Sequence, residues 1–255
     1  MYSFFRSAWR VAALVLLTLI LLPVQLTAVA VSPRIARRLP MLYHTWGVRI
    51  LGLNVHEIGK PTAVRPLLIV ANHVSWLDIS LITTTLPVSF IAKREVKSWP
   101  VFGLLARLQR SVFVDRMRRQ QSADVNDEIA GRLLAGDAMV LFAEGTSSDG
   151  SEVLPFRSAL IGAAAKACAR LPDGSMFIQP LAVTYAGEGG HIAPWYGDMD
   201  LLPHFAGILR TPRLQAVLSW GEPVAYSGQS DRKRVAKELE EHVRALTRRA
   251  RAEYA

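Results

Sequence analysis

Apolar residues fall along this chain in two kinds of run. From Val11 to Val31 no side chain is charged, and Leu, Val and Ala are interrupted only by Thr18, Pro23, Gln25 and Thr27. That length is close to the ~20 residues that cross a hydrocarbon core. Later runs are short, continuous and bounded by polar residues: Leu67 to Ala71, Val88 to Ala92, Ser111 to Val114, Met139 to Phe142, Phe177 to Val183 and Leu214 to Leu218. Strands buried on both faces read this way. Helical spacing separates them. Val125, Ile129, Leu133 and Leu134 share a face within Ser122 to Ala135, which Gly136 closes as a C-terminal cap. Val235, Leu239, Val243 and Leu246 form a stripe on a charged helix from about Asp231 to Arg251, with Ser230 as its N-cap. The alternation predicts an α/β fold: a single domain with a mixed, largely parallel sheet flanked by helices, preceded by an N-terminal hydrophobic membrane anchor. Residues 1–55 are assigned to the membrane-anchoring helical segment and 56–255 to the domain that carries the chemistry.

Charge refines the N-terminal reading. Arg6 and Arg10 precede the apolar segment, whereas Arg34, Arg37, Arg38 and Arg49 follow it. The heavier basic flank predicts a main domain on the cytoplasmic side of the cell's inner membrane. The rival is a secretory signal peptide, with Val11 to Leu22 as its apolar region and Ala28-Val29-Ala30 as its cleavage site. The apolar run continues through that site, which favours an anchor. Pro23 also permits a kinked or re-entrant pair of helices in one leaflet, with Leu39 to Leu53 as the second limb. A net charge of +9 asks for an acidic surface. Anionic lipid headgroups meet that demand beside an apolar N-terminus, and no helix-turn-helix, zinc-finger or RNP-like pattern points to nucleic acid. The single cysteine excludes an intramolecular disulfide and a cysteine metal cluster. Cys168 shares a helical face with Leu160, Ala163, Ala164 and Ala167 and is read as core.

The chemistry gathers where strands end. After Leu67 to Ala71 come Asn72-His73-Val74-Ser75-Trp76-Leu77-Asp78, an imidazole and a carboxylate five positions apart. In an unbroken helix they would lie about 140° apart, so the pair predicts a strand, a turn and a helix start. In open α/β sheets such crevices hold reactive groups. His73 is a candidate general base and Asp78 its orienting acid. Phe142-Ala143-Glu144-Gly145-Thr146-Ser147 follows a second strand; Glu144 is expected to point into the crevice, with Gly145, Thr146 and Ser147 as substrate contacts. Lys93 and Arg116 each follow a strand and Arg157 precedes a helix, places suited to an anionic group or, for the first two, an exposed basic loop tip. No third ligand stands at metal-binding spacing beside His73 and Asp78, so no metal is expected. His44, His56, His191 and His204 receive no role.

These stations, in this order, resemble the glycerolipid acyltransferases, the 1-acylglycerol-3-phosphate acyltransferases among them. NHVSWLD is similar to the family's His-x4-Asp motif, FAEGTSS to its Phe-Pro-Glu-Gly-Thr-Arg-Ser motif, and FIAKRE, VFVDR and FIQPLAVTY to neighbouring segments, over about Leu67 to Tyr185. The resemblance implies acyl transfer to a lyso-lipid hydroxyl from acyl carrier protein or coenzyme A thioester, with His73 and Asp78 catalytic and no bound cofactor. Two positions depart from the pattern: Ala143 replaces Pro, and Ser147 replaces the Arg associated with the acceptor's phosphate. EGTSSDG and WYGDMDLLPH resemble the lyso-ornithine lipid acyltransferase branch. Two other classes compete: a thioesterase or lipid hydrolase using the same base on water, and a non-catalytic lipid-binding membrane protein.

Overall fold

The computed structural model describes residues 2–99, 102–114 and 121–254. Two helices come first, α1 (Tyr2–Val31) and α2 (Pro33–Leu51), reversing at Ser32 into an antiparallel hairpin. Thr18 Oγ1 meets the Tyr43 hydroxyl at 3.1 Å, and Gln25 Nε2 donates to Ala36 O at 3.0 Å. α1 is long and apolar enough to cross a membrane. It runs unbroken through Pro23, so the chain reverses nine residues later than the proline suggested.

The remaining elements are β1 (Leu53–Ile58), β2 (Leu67–Ala71), α3 (Leu77–Thr83), β3 (Val88–Lys93), α4 (Phe102–Leu108), β4 (Val112–Val114), α5 (Gln121–Leu134), β5 (Ala138–Phe142), α6 (Gly162–Cys168), β6 (Ser175–Ala186), α7 (Leu201–Arg210), β7 (Leu214–Trp220), β8 (Val224–Ser227) and α8 (Arg232–Tyr254). The strands form one sheet in the order β1-β7-β6-β2-β5-β3-β4, with β8 beside the first part of β6. All pairs are parallel except β6 with β7 and with β8. The mixed, largely parallel sheet is therefore as expected.

β2 shows why continuous apolar runs mark these strands. Leu68 and Val70 face one core with α5, α6 and α8; Leu67, Ile69 and Ala71 face the other with α2, α3 and α7. Every residue of β2 is fully buried. Pro180 lies inside β6 because its missing N–H falls on the edge where β7 gives way to β8, and its carbonyl accepts from Gly221 N at 2.9 Å.

Three expectations need correction. β1 and β8 went unread, since LNVHEI and VAYS are partly exposed and lack an apolar run. β1 also joins the main sheet across residue 55. Ser230 is not the cap of the last helix: Asp231 Oδ1 accepts from Lys233 N at 2.8 Å, and Ser230 Oγ instead accepts from Ser227 N. Gly136 does close α5, at φ 82°, and Cys168 is buried with its thiol on Tyr226 O.

Candidate active site

β2 and β5 are neighbours in register, Ala71 opposite Phe142, so the loops after them leave the sheet together. Backbone bonds stitch those loops: Ala143 N to Ala71 O at 3.1 Å and Ser148 N to His73 O at 3.0 Å. The Asn72 side chain binds Val183 in both directions, accepting from its N–H at 2.8 Å and donating to its C=O at 2.9 Å. β6 thus holds the first residue of the loop, and His73 starts from a fixed backbone.

The chain bends between His73 and Asp78 as their spacing requires, with α3 beginning only at Leu77. Asp78 lies fully buried at the foot of the loop. Its Oδ2 accepts from His73 Nδ1 at 2.8 Å, Val74 N at 2.7 Å and Ser75 N at 3.0 Å; its Oδ1 accepts from the Tyr185 hydroxyl at 2.7 Å. A carboxylate is an acceptor, so the proton shared with the imidazole sits on Nδ1. Nε2 then carries the lone pair, and the histidine side chain is about 20% exposed. The ring stacks on Phe142, centroids 4.0 Å apart and planes 14° from parallel. Both its tilt and its tautomer are set. Such an imidazole can take a proton from a group arriving on the open side.

Tyr185 was not foreseen in this role. β6 outruns β2 at this end, and its last five residues, from Ala182, reach past Ala71 to bring the phenol beside Asp78. Burial first, then the adjacent Asp78, raise the tyrosine well above its ordinary range, so it stays a donor. The only hint in the sequence was a polar ring ending an apolar strand.

Glu144 does not face the crevice as anticipated. It is 2% exposed, and its oxygens accept from His73 N at 3.0 Å and Leu154 N at 2.8 Å. Burial raises its carboxyl to about 7 against the opposing pull of those two N–H groups. Gly145 takes φ 76°, where a side chain is disfavoured, and a Cβ there would lie 3.0 Å from Arg157 Nε. The guanidinium of Arg157 therefore packs over the turn. Thr146 is exposed and Ser147 half-buried beside it. Lys93 stands at the exposed end of β3, 3.9 Å from Glu95, and Arg116 lies outside the described residues. His204 is structural, its Nδ1 accepting from Trp76 Nε1 at 3.0 Å.

Residues 52–184 match the family model described as Acyltransferase, a span that holds His73, Asp78, Glu144, Ser147 and Arg157 and ends one residue before Tyr185. The chain belongs to the acyltransferase family. This acyltransferase is 45% identical to the lyso-ornithine lipid O-acyltransferase of Brucella abortus, over 94% of the chain and 93% of that protein. It is 32% identical to the 1-acyl-sn-glycerol-3-phosphate acyltransferase of Neisseria gonorrhoeae, over 74% and 73%. The crystal structure of the 1-acyl-sn-glycerophosphate acyltransferase from Thermotoga maritima superposes with a TM-score of 0.67 at 24% identity, covering 96% of this chain and 99% of that one, a likeness of fold.

Proposed function

We propose that this acyltransferase moves a fatty acyl group from a thioester, carried by acyl carrier protein or coenzyme A, to the free hydroxyl of lyso-ornithine lipid. The carrying observation is His73, held by Asp78 through Nδ1, with its side chain about 20% exposed and no partner on Nε2 among the described residues. Nε2 removes the hydroxyl proton as the oxygen attacks the thioester carbonyl, and Asp78 stabilises the imidazolium. The tetrahedral intermediate collapses with loss of thiolate, which takes the proton back from Nε2. An ester bond forms, a thioester bond breaks, and no enzyme nucleophile is consumed. Gly145 N closes the turn on Phe142 O at 3.1 Å, which leaves the backbone N–H groups of Thr146 and Ser147 for the developing oxyanion.

The acceptor follows from charge. Ser147 supplies neither a cation nor a bidentate fork for a phosphate monoester. Arg157, packed on Gly145, suits the single carboxylate of an ornithine headgroup. The 45% identity to a lyso-ornithine lipid enzyme, against 32% to a lysophosphatidate enzyme, supports the same choice.

The reaction requires a membrane-borne acceptor, and α1 supports seating on a bilayer. Phe5, Trp9, Leu16, Leu19 and Ile20 expose more than half their surface. Yet the same helix is tied to the domain near both ends. Arg10, 4% exposed, donates to the carbonyls of Leu209, Thr211 and Pro212 at 3.0, 2.6 and 3.0 Å; Gln25 Nε2 donates to Leu108 O at 2.9 Å. The hairpin accordingly lies along one leaflet on the cytoplasmic face, with the domain beside it.

The test is an acceptor panel with purified protein, lyso-ornithine lipid and lysophosphatidate presented under each acyl donor. Turnover of lyso-ornithine lipid at least about ten times faster is expected. Preference for lysophosphatidate, or fatty acid release that needs no acceptor, would refute the assignment.

A further inference from the structure

At the opposite ends of these strands from His73, where β3 and β5 begin, lies an open cleft of about 270 Å³. Arg34, Arg37 and Arg38 of α2 line it together with Arg65 and Arg110. Among the described residues Asp137, 6% exposed, is the acid set among them. It takes Arg37 at 2.9 Å and Arg110 at 3.3 Å, with Arg132 behind. One carboxylate does not balance this many guanidiniums. No carboxylate lies within ion-pair range of Arg34, Arg38 or Arg65 among the described residues, and the buried Nε–H of Arg37 lacks a partner there. Burial and then Arg132 work against the charge on Arg110. Arg110 is also the one non-glycine described residue in the left-handed region, at φ 61°. The fold gathers repelling cations around one carboxylate, and the left-handed turn that closes α4, with Ser111 N on Ala106 O at 2.9 Å, carries one of them.

The cleft opens at the edge of the apolar surface. Arg34 and Arg38 also flank Ile35 and Leu42, which are exposed, and Val29 and Val31 at the end of α1 are exposed nearby. This is the level at which a leaflet changes from chains to phosphates when the hairpin lies on it.

We infer that the arginine cleft around Asp137 binds the headgroup phosphate of an anionic bilayer phospholipid, at a site separate from the acyl-transfer crevice. The cleft is of headgroup size, below the range of sites that enclose a whole ligand of ~300 Å³ or more. Arg34 and Arg38 present planar forks suited to phosphate oxygens, and Arg65, whose Nη1 donates to the carbonyls of Thr62 and Val64 at 3.0 and 2.8 Å, leaves its other nitrogens for the same anion. An acidic protein would find an apolar border here, at Ile35 and Leu42.

The experiment is flotation of the full chain with vesicles of phosphatidylcholine alone or mixed with phosphatidylglycerol. The wild type is compared with R38A/R65A and with R38K/R65K, which keeps the charge but not the fork. R38A/R65A should lose about fivefold of the anionic preference per arginine. R38K/R65K should lose most of that preference too, while binding to neutral vesicles and turnover of a detergent-dispersed acceptor stay unchanged in both. Wild-type preference in R38K/R65K would overturn the site in favour of a diffuse field. Equal loss on neutral vesicles would overturn it by assigning these arginines to the seating of α2. Thermal stabilisation by inorganic phosphate with unchanged vesicle preference would put a free anion there instead, and a fall confined to acyl-carrier-dependent turnover would put an acidic protein there.

Discussion

Asp78 is the residue on which the site turns, because it collects four hydrogen bonds where it is fully buried. Two come from backbone N–H groups and fix the loop; one orients His73; one comes from Tyr185. Removing the base itself should be the largest single loss. His73→Ala should lower turnover by about 10²- to 10⁴-fold while the protein stays folded and membrane-bound. Circular dichroism and flotation check the second half, and near-normal transfer by the folded variant would remove His73 from the mechanism. Tyr185→Phe is a subtler probe, since it deletes one O–H and leaves Asp78 Oδ1 buried without its donor. Hydrogen bonds to charged groups contribute about 1.5–3 kcal/mol, so kcat should fall by at least about tenfold with KM within about twofold. A change confined to KM would show that the phenol serves substrate binding.

At the scale of elements, the site exists because β2 and β5 end side by side and Glu144 joins the loops beyond them. That carboxyl is raised to about 7 by burial, against an ordinary value of 4.5. The folded state therefore holds its proton more tightly than the unfolded chain does. The resulting stability is complete below pH 4.5 and is lost as pH rises through about 7, a span on the order of 3 kcal/mol. Glu144→Gln carries no charge at any pH. It should be less stable than the wild type near pH 5, because the amide NH2 cannot accept from both N–H groups, and the gap should narrow towards pH 8. Unfolding midpoints measured across that range test this; parallel curves would show that the carboxyl is not raised. Glu144 also marks where the sequence ceased to be legible. The LLIVA and MVLF strands announced themselves because burial on both faces leaves no polar position. So did the bend between His73 and Asp78, forced by their spacing. Whether a strand-end Glu faces a crevice or turns under it is decided by N–H groups ten and seventy-one residues away. Tyr185 stayed hidden for a related reason: its position depends on how far β6 outruns β2, and a register is not written in either strand alone.

For the whole molecule, the proposed seating on a bilayer has to accommodate a 30-residue apolar helix. By composition alone α1 would cross it, since thirty residues at 1.5 Å each reach about 45 Å. Its polar residues argue otherwise. Arg10 caps the last carbonyls of α7, where a cation also meets the negative end of the helix dipole. Gln25 reaches the end of α4 from the far part of the same helix. A membrane-crossing α1 would either break one of these attachments, leaving buried polar groups without partners at about 1–3 kcal/mol each, or drag the charged domain into hydrocarbon. A helix lying along one leaflet needs neither. Cysteines introduced by Ser3→Cys and Ser32→Cys sit at its two ends, and the native Cys168 is buried. Both new thiols should react with a membrane-impermeant maleimide added to inside-out membrane vesicles, and neither should react in right-side-out vesicles. Labelling of the two ends from opposite sides would establish a spanning α1, and with it a domain that has let go of Arg10 or Gln25.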